Sequence, residues 1–248
     1  MNAALSAVAF VPGLAIGSFL NVVAARVPRK RSIVAPGSAC MSCGHELAWH
    51  ENVPVLSWLA LRGKCKGCGE RIGIVYPAVE LVTALLIAAS FFAFGWSGTS
   101  FVAAFFCATL VTVSVTDLSH RIVPNVVVLP ATAVVLVAMT ALHPSVEWLL
   151  GAFGASLFFL VAALAHPKGL GMGDVKLALL LGAMLGRVVP VALMVGMLAA
   201  LVPSFVLFAR HGAAARKMKI PFAPFLALGG LVGLFFGDEL LDVYLNTF

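Results

Sequence analysis

The chain has 248 residues, 62% of them hydrophobic and 10% charged. Its apolar runs repeatedly reach the length needed to cross a hydrocarbon core, so a soluble globular domain is excluded. The formal charge of +6 does not point to nucleic acid, because the basic residues gather in a few short loops between apolar segments, where they set membrane topology.

The first apolar stretch, Ala3 to Ala25, is followed by Arg26-Val27-Pro28-Arg29-Lys30-Arg31. A cleavable signal peptide carries its charges in front, so this predicts a retained first span. Gly13, Gly17 and Asn21 are spaced four apart and share one face, which predicts contact with another helix. Asn21 reads either as an interhelical hydrogen bond or as a substrate or cofactor contact. From Arg26 to about Tyr76 the chain is polar and has little hydrophobic core of its own.

A metal can supply what that core lacks. Cys40-Met41-Ser42-Cys43 and Cys65-Lys66-Gly67-Cys68 are two C-x-x-C pairs separated by twenty-one residues, each followed by a glycine, the pattern of paired zinc knuckles. Four thiolates close a tetrahedral site with no open position, which assigns Zn2+ to folding and not to catalysis. Two disulfides or a redox pair compete with this reading, and a loop facing the reducing cytoplasm disfavours them. With four cysteines completing the shell, His45 and His50 are not expected as ligands.

A second span starts near Tyr76-Pro77 with Glu80 in its first turns, where an acid is either functional or stabilised by the helix N-terminus. The third runs from about Ser100 to Thr116, carries Cys107 in its middle and delivers Asp117. Pro124-Asn125 opens a fourth, to about Leu142, and a fifth covers Val146 to Ala165. A glycine-rich loop, His166 to Asp174, precedes a short sixth span, Val175 to Leu185. Gly186-Arg187 leads through Pro190 to a seventh ending near Ala209. After a basic loop, Arg210 to Lys219, an eighth begins at Pro221 and reaches Asp238, Glu239 and Asp242.

Eight alternating spans with the cysteine loop in the cytoplasm put every Lys and Arg except Arg187 on or near the cytoplasmic face. Asp117 and Asp174 then both sit at cytoplasmic helix ends. Taken singly, Asp174 reads as the N-cap of a helix beginning at Val175 and Asp117 as an interfacial polar end. Together they predict an aspartic peptidase, in which one carboxylate activates water while the other protonates the substrate carbonyl. Gly171 and Gly173 beside Asp174 are the candidate substrate-binding positions, since a backbone without Cβ lets an extended peptide lie close.

The chain resembles the type IV prepilin leader peptidase/N-methyltransferase family over nearly its whole length. The resemblance is carried by Gly17-Ser18-Phe19-Leu20-Asn21, the four cysteines, Tyr76-Pro77-Ala78-Val79-Glu80-Leu81, Asp117 with Ile122-Val123-Pro124-Asn125, Gly171-Met172-Gly173-Asp174 and Ile220-Pro221-Phe222-Ala223-Pro224-Phe225. It implies an all-α polytopic protein of the bacterial cytoplasmic (inner) membrane, with about eight transmembrane helices and a small cytoplasmic zinc-knuckle domain between the first two. It also implies removal of the basic leader of prepilins or pseudopilins, with Asp117 and Asp174 catalytic, followed by N-methylation of the new N-terminal residue with S-adenosyl-L-methionine. The expected division is 1–95 for the methyltransferase-associated region (zinc domain about 27–76), 96–210 for the peptidase core and 211–248 for the basic loop and last span. Gly17, Asn21 and Glu80 are the methyltransferase or structural candidates. Asn125 stands where the family commonly has aspartate, Gly73-Ile74-Val75 replaces more usual polar residues, and no Gly-rich dinucleotide fingerprint is present. A peptidase without methyltransferase activity is the first alternative. A small ion-coupled transporter is another, which predicts internal repeats and mid-membrane acids that the sequence lacks.

Overall fold

The computed structural model describes residues 2–166, 170–212 and 220–247. Lys168 and Gly169 of the glycine-rich loop, and Arg216, Lys217 and Lys219 of the basic loop, lie outside the described residues. A hydrocarbon core offers no water to satisfy backbone N–H and C=O groups, so long apolar runs close their hydrogen bonds internally as helices. The described residues form α1 (Asn2–Arg26), α2 (Leu56–Ala60), α3 (Val75–Phe94), α4 (Gly98–His120), α5 (Asn125–Leu142), α6 (Glu147–Ala165), α7 (Met172–Leu185), α8 (Val189–His211) and α9 (Ala223–Thr247). Two short helical pieces, α2 and a 3-10 turn at Trp49–Glu51, break the cysteine loop.

Seven helical stretches among the described residues are long and apolar enough to cross a membrane. One of them, Met172–His211, contains both α7 and α8, separated by the 3-10 turn Gly186–Val188. The chain reverses there. Along α9, Gly229 lies against Ala192 and Gly196 while Gly237 lies against Val188, so α8 runs antiparallel to α9. Gly186 makes this reversal at φ +52°, a conformation that costs glycine no Cβ clash. Taken as two passes, α7 and α8 give the eight spans expected. With 14 residues, α7 is about 21 Å long, short of a hydrocarbon core of roughly 30 Å.

The chain divides into two compact units, Met1–Thr112 and Val113–Phe248, the boundary falling inside α4. In the first unit α1 and α3 run antiparallel. A Cβ on Gly13 would stand 2.7 Å from Ala84 Cα and one on Gly17 2.6 Å from Glu80 Cα, so only glycine permits this approach. One turn further on, Asn21 Nδ2 donates to the Tyr76 carbonyl at 3.1 Å. The face predicted to meet another helix therefore meets α3, and Asn21 makes the interhelical bond. Ile87 and Phe91 of α3 bury against Ala9 and Ala104, and Phe91, Trp96 and Phe101 stack edge to face or tilted at 5.0–5.6 Å.

In the second unit glycine again sets helix spacing. Gly151 of α6 and Gly182 of α7 each press on the other's carbonyl. Large apolar side chains such as Leu150, Phe153, Phe205 and Val202 remain exposed, as expected of helices facing lipid tails.

Candidate active site and metal centre

The cysteine loop is built from one small unit used twice. Cys40 N–H donates to the His45 carbonyl and Gly44 N–H to the Cys40 carbonyl; Cys65 N–H donates to the Glu70 carbonyl and Gly69 N–H to the Cys65 carbonyl. Gly44 and Gly69 both take φ +74°, which explains why each pair ends in glycine. Isolated bridges, Ala39 with Glu46 and Lys64 with Arg71, close the two turns. Each turn aims two thiols inward, and the four sulfurs of Cys40, Cys43, Cys65 and Cys68 lie within 4.8 Å of one another. The Cys40–Cys68 and Cys43–Cys65 separations are both 3.9 Å. Sulfurs about 2.3 Å from a tetrahedral zinc stand about 3.8 Å apart, so the donor set fits that ion. No disulfide joins these cysteines. The backbone N–H groups of Cys43 and Ser42 bring the Cys40 thiol down to about 6, while proton sharing with Cys43, Cys65 and Cys40 pushes Cys68 up to about 12, so the four sulfurs hold their protons as a cluster.

His45 is used elsewhere. Its Nε2 lies 3.0 Å from Glu51 Oε2, which also accepts the Ala48 N–H at 3.1 Å, and Lys66 Nζ lies 3.2 Å from Glu51 Oε1. The His45 hydrogen bond, then the Ala48 N–H, with Lys66 adding to both, hold the Glu51 carboxyl down to about 2. Glu51 thus ties the two knuckles together beside the sulfur cluster, a role that its place in the sequence gave no sign of.

Glu80, carried by α3, accepts the Val55 N–H at 2.7 Å. Val55 has φ +61° and ψ −50°, a strained setting for a β-branched residue. Arg26 of α1 fixes the start of the same loop by donating to the Ser32 and Gly37 carbonyls, each at 3.1 Å.

In the second unit both aspartates come to one end of the helix bundle. α4 continues one turn beyond Asp117 to His120, so this acid lies inside the helix and is buried. Its Oδ2 accepts the N–H of Ala223, the first residue of α9, at 3.0 Å, and the Phe222 N–H also bonds it. Those are donors that a helix start leaves without an internal partner. α7 begins at Met172, earlier than expected, with Gly171 as its cap. Asp174 therefore stands in the first turn and is not the N-cap: its Oδ2 reaches back to accept the Gly171 N–H at 3.3 Å. Asp174 lies near enough to Asp117 to feel its charge.

The two candidate glycines sit differently. A Cβ on Gly173 would stand 2.8 Å from Val123 Cβ, so its bareness seats α7 against the segment leading to α5; among the described residues a Cβ on Gly171 would come no closer than 3.4 Å, to Asp174 Oδ2. Lys176 Nζ donates to Asn125 Oδ1 at 2.7 Å, fastening the start of α7 to the start of α5. Sequence reasoning missed that bond, although Lys176 follows Asp174 by two residues. At the opposite end of α7, Arg187 pairs with Asp238 at 2.9 Å.

Residues 11–94 match the bacterial peptidase A24 N-terminal domain, and residues 104–209 match the type IV leader peptidase family. A prepilin leader peptidase/N-methyltransferase of Bacillus subtilis is 38% identical over 96% of this chain and 96% of its own. Proteins of the same name from Xanthomonas campestris and Pseudomonas aeruginosa are 37% and 34% identical, over 94% of this chain in both cases and 92% and 91% of theirs. No solved structure matches. The chain belongs to the prepilin leader peptidase/N-methyltransferase family.

Proposed function

We propose that this protein is a membrane-embedded aspartic endopeptidase that removes the leader of type IV prepilins and pseudopilins at the cytoplasmic face, and that it then N-methylates the new N-terminal residue. The peptidase half is supported by the placement of Asp117 and Asp174, from separate helices, at one end of the second unit, close enough for the charge of Asp117 to act on Asp174. Two neighbouring carboxylates favour sharing one proton. The ionised member takes a proton from water as that water attacks the scissile carbonyl. The protonated member donates to the carbonyl oxygen, and collapse of the tetrahedral intermediate passes a proton to the leaving amine. Asp117 is oriented for this work by the N–H groups at the start of α9, and Asp174 by the Gly171 N–H.

The charge distribution supports a cytoplasmic position for this end of the bundle, because Lys176 lies there while Arg187 lies at the other. A prepilin presents a basic leader and then an apolar helix, so its cleavage point sits at that surface. Recognition by packing of the apolar helix, with extended backbone beside Gly171 and Gly173, fits a face whose own charge is basic. Zinc held by Cys40, Cys43, Cys65 and Cys68 leaves no open coordination position and serves folding. S-adenosyl-L-methionine supplies an activated methyl group. Incubating the purified protein with a prepilin and labelled S-adenosyl-L-methionine, then weighing the products, tests both halves: the expected product lacks the leader and carries one labelled methyl. An uncut substrate would overturn the peptidase reading, and a cut, unlabelled one would overturn the methyltransferase reading.

A further inference from the structure

Between α1, α3 and the cysteine loop the first unit encloses a cavity of about 340 Å³. That is the scale of small-molecule sites, which run from roughly 300 to 1,000 Å³. Its walls include Asn21 and Arg26 from α1, Tyr76 and Glu80 from α3, and Glu51 and Trp58 from the loop. All belong to the unit without the aspartates.

Two buried carboxylates face this space, Glu51 at 7% and Glu80 at 8% exposure. They differ in how they are neutralised. Glu51 has His45 and Lys66. Glu80 has the Val55 N–H and the Ser18 hydroxyl, and no cation pairs with it among the described residues. A buried carboxylate without a counter-charge is costly, and a permanent cation entering the cavity would remove that cost. Trp58 adds a flat, fixed wall: its Nε1 donates to the Ile72 carbonyl at 3.0 Å, and Gly63 leaves room for the ring, since a Cβ there would stand 2.8 Å from Trp58 Cζ2. An indole so held suits stacking on a purine.

Resting on the N-methyltransferase reading above, we propose that this cavity is the seat of S-adenosyl-L-methionine, with Glu80 facing the sulfonium and Trp58 the adenine. A sulfonium cannot shed its charge by losing a proton, so it complements an acid that the protein leaves unpaired. In the transfer, the lone pair of the pilin amine forms the N–C bond. The C–S bond breaks with its electrons passing to sulfur, and one proton leaves the nitrogen for solvent. The charge that held the donor to Glu80 is then gone, which favours release of the neutral thioether product.

The test uses the full chain in detergent with zinc present. Ultraviolet cross-linking of methyl-labelled S-adenosyl-L-methionine to the unaltered protein, followed by peptide mapping, should label the segment from Glu51 to Glu80. In equilibrium dialysis Glu80→Gln should weaken the sulfonium donor by about tenfold or more while shifting S-adenosylhomocysteine by less than about threefold. Label confined to residues 113–248, or Glu80→Gln binding the donor as tightly as the parent, overturns the proposal. If the protein methylates pilin but cross-links elsewhere, only this site assignment fails. If it neither binds the donor nor methylates, the N-methyltransferase reading fails with it.

Discussion

Glu80 and Asp117 are placed alike and surrounded differently. Each is a buried acid on a membrane-length helix, and each accepts a backbone N–H from a distant segment, Val55 in one case and Ala223 in the other. Asp117 then acts through its charge on a second acid, Asp174, whereas Glu80 faces a cavity and pairs with no cation among the described residues. An acid beside an acid invites proton sharing, which is the chemistry of peptide hydrolysis. An acid without a paired cation beside a cavity invites one. Burial and backbone capture hold both carboxylates alike, and what separates them is the nearest charge.

The largest effect should fall on the paired acids. Asp117→Asn and Asp174→Asn should each slow leader removal by about 10²–10⁴-fold, the span associated with losing general acid–base catalysis, while the protein stays folded with zinc bound. Mass spectrometry of a prepilin substrate reads this directly, and near-normal cleavage by either variant would make the two regions equivalent after all.

A second break in the comparison comes from helix packing. Gly182→Val would drive a side chain into the Gly151 carbonyl and Gly17→Val into the Glu80 backbone, each at a cost of about 3 kcal/mol from overpacking. The first should destroy leader removal while zinc stays bound, and the second should loosen the cysteine loop first. If both variants lose zinc and cleavage together, the two units do not act separately.

Cys65→Ser should weaken zinc binding by more than about 100-fold, since even outer partners of metal ligands are worth roughly 10–100-fold. Metal analysis and limited proteolysis should show the loop loosening before cleavage declines. Full zinc retention would remove Cys65 from the centre.

The smallest contrast lies within one motif. Gly173→Ala meets Val123 at 2.8 Å and should cost about 1–3 kcal/mol, whereas Gly171→Ala comes no closer than 3.4 Å to any described residue and should be close to neutral for folding. Thermal denaturation separates them. Equal stability would show that the Val123 segment yields, and a cleavage defect in a fully stable Gly171→Val would mark that position as substrate-facing.

The parts legible in the sequence are those encoded locally. The C-x-x-C-G units specify their own turns, so both the gathering of the four thiols and the glycines at φ +74° follow from spacing. Asp117 and Asp174 stand out because an acid within an apolar run is costly, and Gly13, Gly17 and Asn21 declare a helix contact by their period. What stayed hidden depends on contacts between segments far apart in the chain. The Ala223 N–H on Asp117 spans 106 residues, and the Lys176–Asn125 bond spans 51. Val55 gives no hint in sequence that its N–H turns toward Glu80. Nor does Gly173 declare that its missing side chain makes room for Val123, when a substrate-facing role explains the glycine equally well.

The most direct test of two separate sites supplies Asp174→Asn with two substrates, an intact prepilin and a peptide already starting at the mature N-terminus, together with labelled S-adenosyl-L-methionine. The account predicts that the intact prepilin stays uncut while the mature peptide is methylated at the parent rate. Loss of methylation on the mature peptide, in a variant that still binds zinc, would contradict it by showing that both reactions depend on the aspartate site.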